Sequence, residues 1–260
     1  MDGEISSILC FDLDGTIVDP EGEVPLDVTL LEYLRELKSQ GAVWVVNTGR
    51  TLFQTLEGFH QHGITMLPDY IIAQESELYE PGKFNRWVAC GKWNATCASD
   101  HRKFFKSSAR AFKKIRNFIE TSTEASFFPL EDGPGGVVAR SDEEMDMICD
   151  YIERERRNLP LLGYQRNSVY LRFSHIKYNK GSTLGELGRL LGIPPEYIFA
   201  AGDNHNDMAM LGGEYAHAVA CPENAVPRVK ELVKEKGGYV AREPFSKGSA
   251  EAVHHYYFSS

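Results

Sequence analysis

Basic charge is what this chain is short of. It sets 28 Lys and Arg against 37 Asp and Glu, a formal net charge of -9 over 260 residues. That balance excludes non-specific binding to nucleic acid or anionic membranes, which needs basic clusters. A local cationic pocket for one small anion is not excluded. Long apolar runs are missing too, and none approaches the ~20 residues of a membrane helix. The N-terminus, Met1-Asp2-Gly3-Glu4, has neither the basic start nor the apolar stretch of a secretory leader. A soluble, unprocessed protein is the expectation. The five cysteines are scattered and lack CxxC spacing, so a disulfide scaffold is excluded and reduced thiols in a cytoplasmic setting are expected. Cys90, Cys97 and His101 match no zinc spacing and read as unrelated residues. Internal repeats and low-complexity tracts are absent. Asn94-Ala95-Thr96 matches a glycosylation sequon, which without a leader reads as chance.

What is present alternates. Ile5 to Phe11 is a short run of β-formers that reads as a buried parallel strand. Residues 16–25 carry the turn signal Asp-Pro-Glu-Gly and read as a hairpin flap. A helix follows with Val28, Leu31, Leu34 and Leu37 inward and Gly41 at its C-terminal cap. Ala42–Val46 is a second strand, Thr51–His62 a helix and Tyr70–Ala73 a third strand. From about residue 81 the alternation stops. One helix is expected over Arg102–Thr121, with Phe105, Phe112, Ile115 and Ile119 on one face. Another starts at a capping box, Ser141 with Glu144. Strands are expected at Ser126–Leu130, Val137–Ala139 and Val169–Phe173, with a turn at residues 133–136. Alternation resumes with a helix after Lys180, a strand at Ile198–Ala201, a short helix from about Asp207, a strand at Ala216–Ala220, a helix from about Glu223, a strand at Tyr239–Ala241 and a last helix near Ser249. The pattern predicts an α/β protein: a Rossmann-like parallel sheet core, residues 1–80 and 178–260, with an α+β cap domain inserted at 81–177.

In an open parallel sheet, chemistry gathers at the carboxyl ends of the strands. Four such ends here carry polar residues. In Asp12-Leu13-Asp14-Gly15-Thr16, residues two apart face one space, so Asp12 and Asp14 converge while Leu13 turns away. Two carboxylates a few ångströms apart repel by roughly 4 kcal/mol at an effective dielectric near 20, so a cation or a proton between them is expected. Asp caps at a turn are the plainer alternative. Thr48-Gly49-Arg50 offers a hydroxyl and backbone amides for phosphate oxygens, or simply a helix N-cap. Lys180-Gly181 offers a cation, though most lysines are only solvated. Gly202-Asp203-Asn204-His205-Asn206-Asp207 sets two carboxylates and two amides after a strand. A calcium loop starting at Asp203 is excluded, because its sixth position is Met208 where glycine is required. Together the four ends supply a nucleophile, an acid, a cation and a metal platform for phosphoryl transfer.

The order and spacing of these motifs resemble the haloacid dehalogenase (HAD) superfamily across nearly the whole chain, in particular its Cof-like and sucrose-phosphatase-like phosphatases with a large inserted α/β cap. The resemblance implies that Asp12 is the nucleophile and becomes an aspartyl phosphate, while Asp14 is the general acid and then the base. Thr48 and Lys180 complete the catalytic set. Gly15, Thr48, Gly49, Lys180 and Asn206 would surround phosphate, with Asn206 serving the phosphate or the metal shell. Mg2+ would be held by Asp12, the Asp14 backbone carbonyl and Asp203, with Asp207 supporting it. The implied function is hydrolysis of small phosphate monoesters, sugar phosphates first, by a monomer, a dimer being the alternative. A phosphomutase and a catalytically silent phospho-ligand-binding module are the rivals. Charge counting sets Asp12, Asp203, Asp207 and a phosphate dianion against magnesium and Lys180; the negative excess should raise the pKa of Asp14 and keep the acid protonated. One departure is Gln74-Glu75-Ser76, where many relatives carry Asn-Gly-Ala. In the cap, Arg140, Arg166, Tyr170 and Arg172 are possible substrate contacts, each with a packing or surface role as the plainer reading.

Overall fold

A computed structural model describes residues 5–259 except 131 and 132; the N-terminal residues read above as lacking a leader lie outside the described residues. In chain order the elements are β1 (Ser7–Phe11), α1 (Val28–Ser39), β2 (Ala42–Asn47), α2 (Leu52–Gln61), β3 (Tyr70–Ala73), β4 (Glu77–Pro81) and β5 (Trp87–Ala89). Next come α3 (Trp93–Ser107), α4 (Ala109–Ser122), β6 (Ser126–Phe128), β7 (Gly136–Val138), α5 (Asp142–Arg156), β8 (Leu162–Asn167) and β9 (Tyr170–His175). The chain closes with α6 (Lys180–Leu191), β10 (Ile198–Ala201), α7 (Met208–Leu211), β11 (Ala218–Cys221), α8 (Pro227–Glu235), β12 (Tyr239–Val240) and α9 (Phe245–Tyr257). It divides into two compact units, one reaching Asn94 and resuming at Lys180, the other Ala95–Asn179.

The first unit is built on an eight-stranded sheet of order β12-β11-β10-β1-β2-β3-β4-β5. Its strands from β12 to β3 pair in parallel, and β4 and β5 extend it antiparallel. Burial on both faces explains the unbroken apolar strands. Leu9 and Phe11 face one cluster with Leu30, Leu34, Trp44 and Val253, whereas Ile8 and Cys10 face another with Leu184, Leu187, Val229 and Val233. The two-residue period of a strand divides β1 between these cores. Register then sets the working edge: Phe11 lies opposite both Ala201 of β10 and Val46 of β2, and Asn47 lies opposite Ile72 of β3. The residues after these strands therefore emerge side by side.

Several sequence readings change. Val28 is exposed and Leu30 takes its place on the buried face of α1. Residues 16–25 form no hairpin; a bridge between Asp14 and Val18 is followed by a turn that Asp19 closes by accepting from the backbone of Glu21, Glu23 and Val24. A carboxylate can bind three amides at once, which a strand pairing would have used otherwise. β4 pairs with β3 and β5 with β4, so the first unit continues past residue 80. The expected Arg102–Thr121 helix is two helices, broken at Ser108, whose backbone leaves the helical region after a second serine.

The second unit has an antiparallel sheet of order β6-β7-β9-β8. Its core joins Phe104, Phe112, Ile115 and Ile119 to Ile148, Ile152, Leu171 and Phe173. At α5, Ser141 accepts from the Glu144 amide, but the Glu144 carboxylate binds the amides of Arg140 and Glu124 instead of closing a box. β8 was not anticipated, because Leu162-Gly-Tyr-Gln-Arg-Asn has little apolar alternation. All five cysteines are buried and none is in a disulfide. No helix among the described residues is long and apolar enough to cross a membrane.

Candidate active site

Asp12 leaves β1 with its amide bonded to the Ala201 carbonyl at 3.0 Å. Its Oδ1 accepts from the Leu13 amide at 2.7 Å and lies 2.7 Å from Lys180 Nζ. Its Oδ2 is buried and has no hydrogen-bond partner among the described residues. Leu13 turns fully into the core, as strand alternation requires. Lys180, at the start of α6, is wholly buried and also bonds Asp207 Oδ1 at 2.6 Å. Burial alone would discharge it; the Asp12 and Asp207 carboxylates overcome that and hold the ammonium charged well above the ordinary lysine range.

Asp207 is placed by the loop after β10. Its Oδ2 accepts from the amides of Asp203 (2.8 Å) and Asn204 (2.9 Å), folding the chain back over the strand end. Asp203 Oδ1 accepts from the Thr16 hydroxyl at 2.9 Å. Gly15 has φ +83, and a Cβ there would run into the Asp203 carboxylate. Glycine is required twice over, by the left-handed backbone and by the approach.

One carboxylate oxygen each of Asp12, Asp203 and Asp207 lies within 4.8 Å of the others, all three residues buried. A single ammonium balances them. Burial, then the Asp207 charge, push the Asp203 carboxyl up to about 7, and the same two causes raise Asp12 well above the carboxylate range. The orphaned Oδ2 and this excess of negative charge fit a hard divalent cation bound through oxygen.

At the second strand end the plainer alternative for Thr48, a helix N-cap, does not hold. Thr51 caps α2, in a box with Gln54, and Thr48 sits upstream with its hydroxyl accepting from the Arg50 amide at 3.2 Å. Gly49 lies against Glu75: a Cβ there would be 3.4 Å from Glu75 Oε1. That oxygen also accepts from Asn206 Nδ2 at 2.7 Å, so Glu75 lies between Gly49 and Asn206.

Sequence reasoning missed four residues of this arrangement. Arg50 forks onto Asp14, Nε to Oδ2 at 2.7 Å and Nη2 to Oδ1 at 2.5 Å, a cation left out of the charge count above. Its signal was its place directly after Thr48-Gly49. Glu75 was noted only as a departure. Asn47 donates to the Lys180 carbonyl at 3.0 Å, and Asn224 donates to the Gly15 carbonyl at 2.7 Å. Asn47 ends a buried strand, which is a signal; Asn224 has none, being fixed only by the fold. In the inserted unit, Arg166 is buried against Asp142 and Asp146, and Arg140 pairs with Glu124 at 2.5 Å. Tyr170 is exposed.

A family model for haloacid dehalogenase-like hydrolases matches residues 9–75 and 94–241. The chain is 23% identical over 260 residues to a 5-amino-6-(5-phospho-D-ribitylamino)uracil phosphatase, YcsE, of Bacillus subtilis (strain 168), covering 96% of this chain and 95% of that protein. Among solved structures, it resembles the sucrose-phosphatase of Synechocystis sp. PCC6803, solved with sucrose and phosphate, at TM-score 0.72 and 20% identity over 96% of this chain and 98% of that one. It also resembles the HAD subclass IIB sugar phosphatase BT4131 at TM-score 0.66 and 16% identity, over 96% and 98% of the two chains. With three motifs at the ends of β1, β2 and β10, a lysine from the start of α6 among them and a family match across most of its length, this chain belongs to the haloacid dehalogenase-like hydrolases.

Proposed function

We propose that the protein is a magnesium-dependent phosphatase that hydrolyses small phosphate monoesters, sugar phosphates foremost, through an aspartyl phosphate on Asp12. The observation that carries this reading is the state of Asp12: one oxygen is neutralised by a buried lysine, the other has no hydrogen-bond partner among the described residues, and the carboxylate lies beside those of Asp203 and Asp207. Asp12, the Asp14 backbone carbonyl and Asp203 would hold Mg2+, with Asp207 behind them; the ion would supply charge neutralisation for the phosphate and the carboxylates.

Asp12 attacks phosphorus, the P–O bond to the alcohol breaks, and Asp14 gives its proton to the departing oxygen. Asp14 then takes a proton from water, whose oxygen attacks the phosphoryl group, frees inorganic phosphate and restores Asp12. Both Asp14 oxygens accept from Arg50, so Asp14 must leave the guanidinium fork and take a proton from solvent before it can give one to the leaving oxygen. Lys180 stays charged beside Asp12 throughout and screens the incoming phosphate dianion. Thr48 and the amides after β2 are suited to the phosphate oxygens.

The substrate class rests on the relatives, whose names specify sugar phosphatases and a phosphorylated ribityl compound. Acidic overall charge and buried cysteines outside any disulfide suit a small-metabolite enzyme of a reducing cytoplasm. The test is phosphate release from a panel of sugar phosphates, nucleotides and an aryl phosphate, with and without Mg2+, beside Asp12→Asn. Release that needs Mg2+ and falls at least about 1,000-fold in the variant is expected. Folded protein that releases phosphate from no ester would turn the reading to a mutase or a silent phospho-ligand-binding module.

A further inference from the structure

The break between α3 and α4 folds two aromatic rings of the inserted unit together. Phe105 and Phe112 stand seven residues apart, which an unbroken helix would separate by about 10.5 Å along its axis. The turn at Ser108 instead brings their rings to 5.5 Å, edge to face, and Phe112 meets Phe173 of β9 in the same way at 5.3 Å. Beside these rings lies a cavity of about 430 Å³, within the size range of small-molecule sites. Phe112 and Phe173 form its buried floor, and Phe105 and Phe127 are half-buried walls. Gly133 packs on Phe105: its φ is +114, and a Cβ there would lie 2.7 Å from the ring.

The rim of this apolar cavity is cationic. Lys106 stands in the last turn of α3, Lys113 and Arg116 are one turn apart on α4, and no described lining residue is acidic. In the whole chain, by contrast, 37 acidic residues outnumber 28 basic ones. Lys106 and Lys113 are exposed and make no ion pair among the described residues. Arg116 is held in place, with its guanidinium 3.9 Å over the Phe127 ring. Its Nη2 donates to the Pro134 carbonyl at 2.9 Å and its Nη1 to Glu120 at 3.4 Å. An arginine has further N–H donors beyond those two. Strand alternation separates the cavity from the other face of the sheet. Leu171 and Phe173 face the helices, so Tyr170 and Arg172, two of the candidate substrate contacts, stand on the opposite face.

We propose that this cavity is a second ligand site, for a small aromatic anion whose ring system lies on the phenylalanines and whose carboxylate or sulfonate meets Lys106, Lys113 and Arg116. A further ring packs edge to face or offset on rings already so arranged. The cations favour a negatively charged head over a neutral one. A sugar phosphate does not suit the site, because its hydroxyls would lose their hydrogen bonds against the phenylalanine floor. The site stands apart from Asp12 and does not depend on the reading of its chemistry.

The probe is anilinonaphthalene sulfonate, an aromatic anion whose fluorescence rises in apolar surroundings, titrated into the intact protein. Saturable binding with a dissociation constant of about 10–100 μM is expected for a ligand of that size. Naphthoate should displace the dye and inorganic phosphate should not. Lys106→Glu combined with Lys113→Glu should raise the dissociation constant about tenfold, since each change turns an attraction into a repulsion. Phenylnaphthylamine, a neutral analogue of the dye, should bind the same variant as it binds the wild type. Ala109 is exposed in the first turn of α4 and lines the cavity, so Ala109→Trp fills it from outside and should abolish binding of both dyes. Circular dichroism melts identify any variant that does not fold, and the other then carries the test. Unchanged dye affinity in either folded variant overturns the inference. So does displacement of the dye by inorganic phosphate, or wild-type protein that binds no dye saturably.

Discussion

Beneath the ends of β1, β2 and β10 the chain buries one lysine among three carboxylates; beneath the sheet of the inserted unit it buries phenylalanine rings and branched aliphatics. Each unit also holds one buried cation with two aspartate partners, and these differ in what surrounds them. Lys180 is wholly buried and so is Asp207, with Asp12 nearly so. Arg166 has 8% of its side chain exposed, but its partners Asp142 and Asp146 are 60% and 65% exposed. Solvent surrounds the aspartates of the second network, whereas Lys180 and Asp207 of the first have no exposed side-chain surface. A cation whose partners are in solvent is a packing device; a cation sealed in with more negative charge than it can neutralise leaves a site waiting for further positive charge.

The sharpest way to break that comparison is to remove each cation in turn. Lys180→Met should cost about 3–5 kcal/mol in metal-free urea denaturation, because it strands buried carboxylates. Arg166→Met should cost about 1 kcal/mol, its aspartates being already hydrated. Equal losses would refute the distinction. Next in size is the inserted unit's apolar core: Ile148 is fully buried there, and Ile148→Ala should cost about 3 kcal/mol by the same measurement. A loss below about 1 kcal/mol would mean that the unit is loosely packed.

The smallest effect is acid sensitivity in the inserted unit. Burial holds the His175 imidazole below its ordinary range, helped by the Lys177 ammonium and opposed by Asp100. The unfolded chain therefore takes up the proton first as pH falls. The stability carried by neutral His175 is complete above about pH 6.5, the unfolded value, and is lost as pH falls through the depressed folded value. Thermal melts from pH 7.5 to 5 should show the wild type losing stability more steeply than His175→Phe, which keeps the ring contacts with Phe104 and Tyr178. Parallel curves would remove His175 from the account.

Legibility in the sequence followed the range of the interactions concerned. Strand alternation alone predicts that Leu13 turns inward between Asp12 and Asp14, and it does. The parallel core was legible because doubly buried strands leave continuous apolar runs. The break at Ser108 was hidden because Phe105, Phe112, Ile115 and Ile119 keep helical spacing across it. β8 was hidden because its polar face breaks the alternation. In the site, the carboxylates could be picked out as strand-end residues and the lysine as the start of a helix, whereas Arg50, Glu75 and Asn224 could not be assigned partners.

The order of motifs, the strand-end placement of Asp12, Thr48 and Asp203, and the glycine at position 15 were determined by the sequence, since each follows from local periodicity or backbone freedom. Tertiary structure decided the pairings: Arg50 with Asp14, Glu75 with Asn206, Asn224 with the Gly15 carbonyl, and Lys180 between Asp12 and Asp207. The physical reason is distance along the chain. A hydrogen bond between residues 27 to 209 positions apart exists only because the sheet register and the helices packed on it bring those positions together.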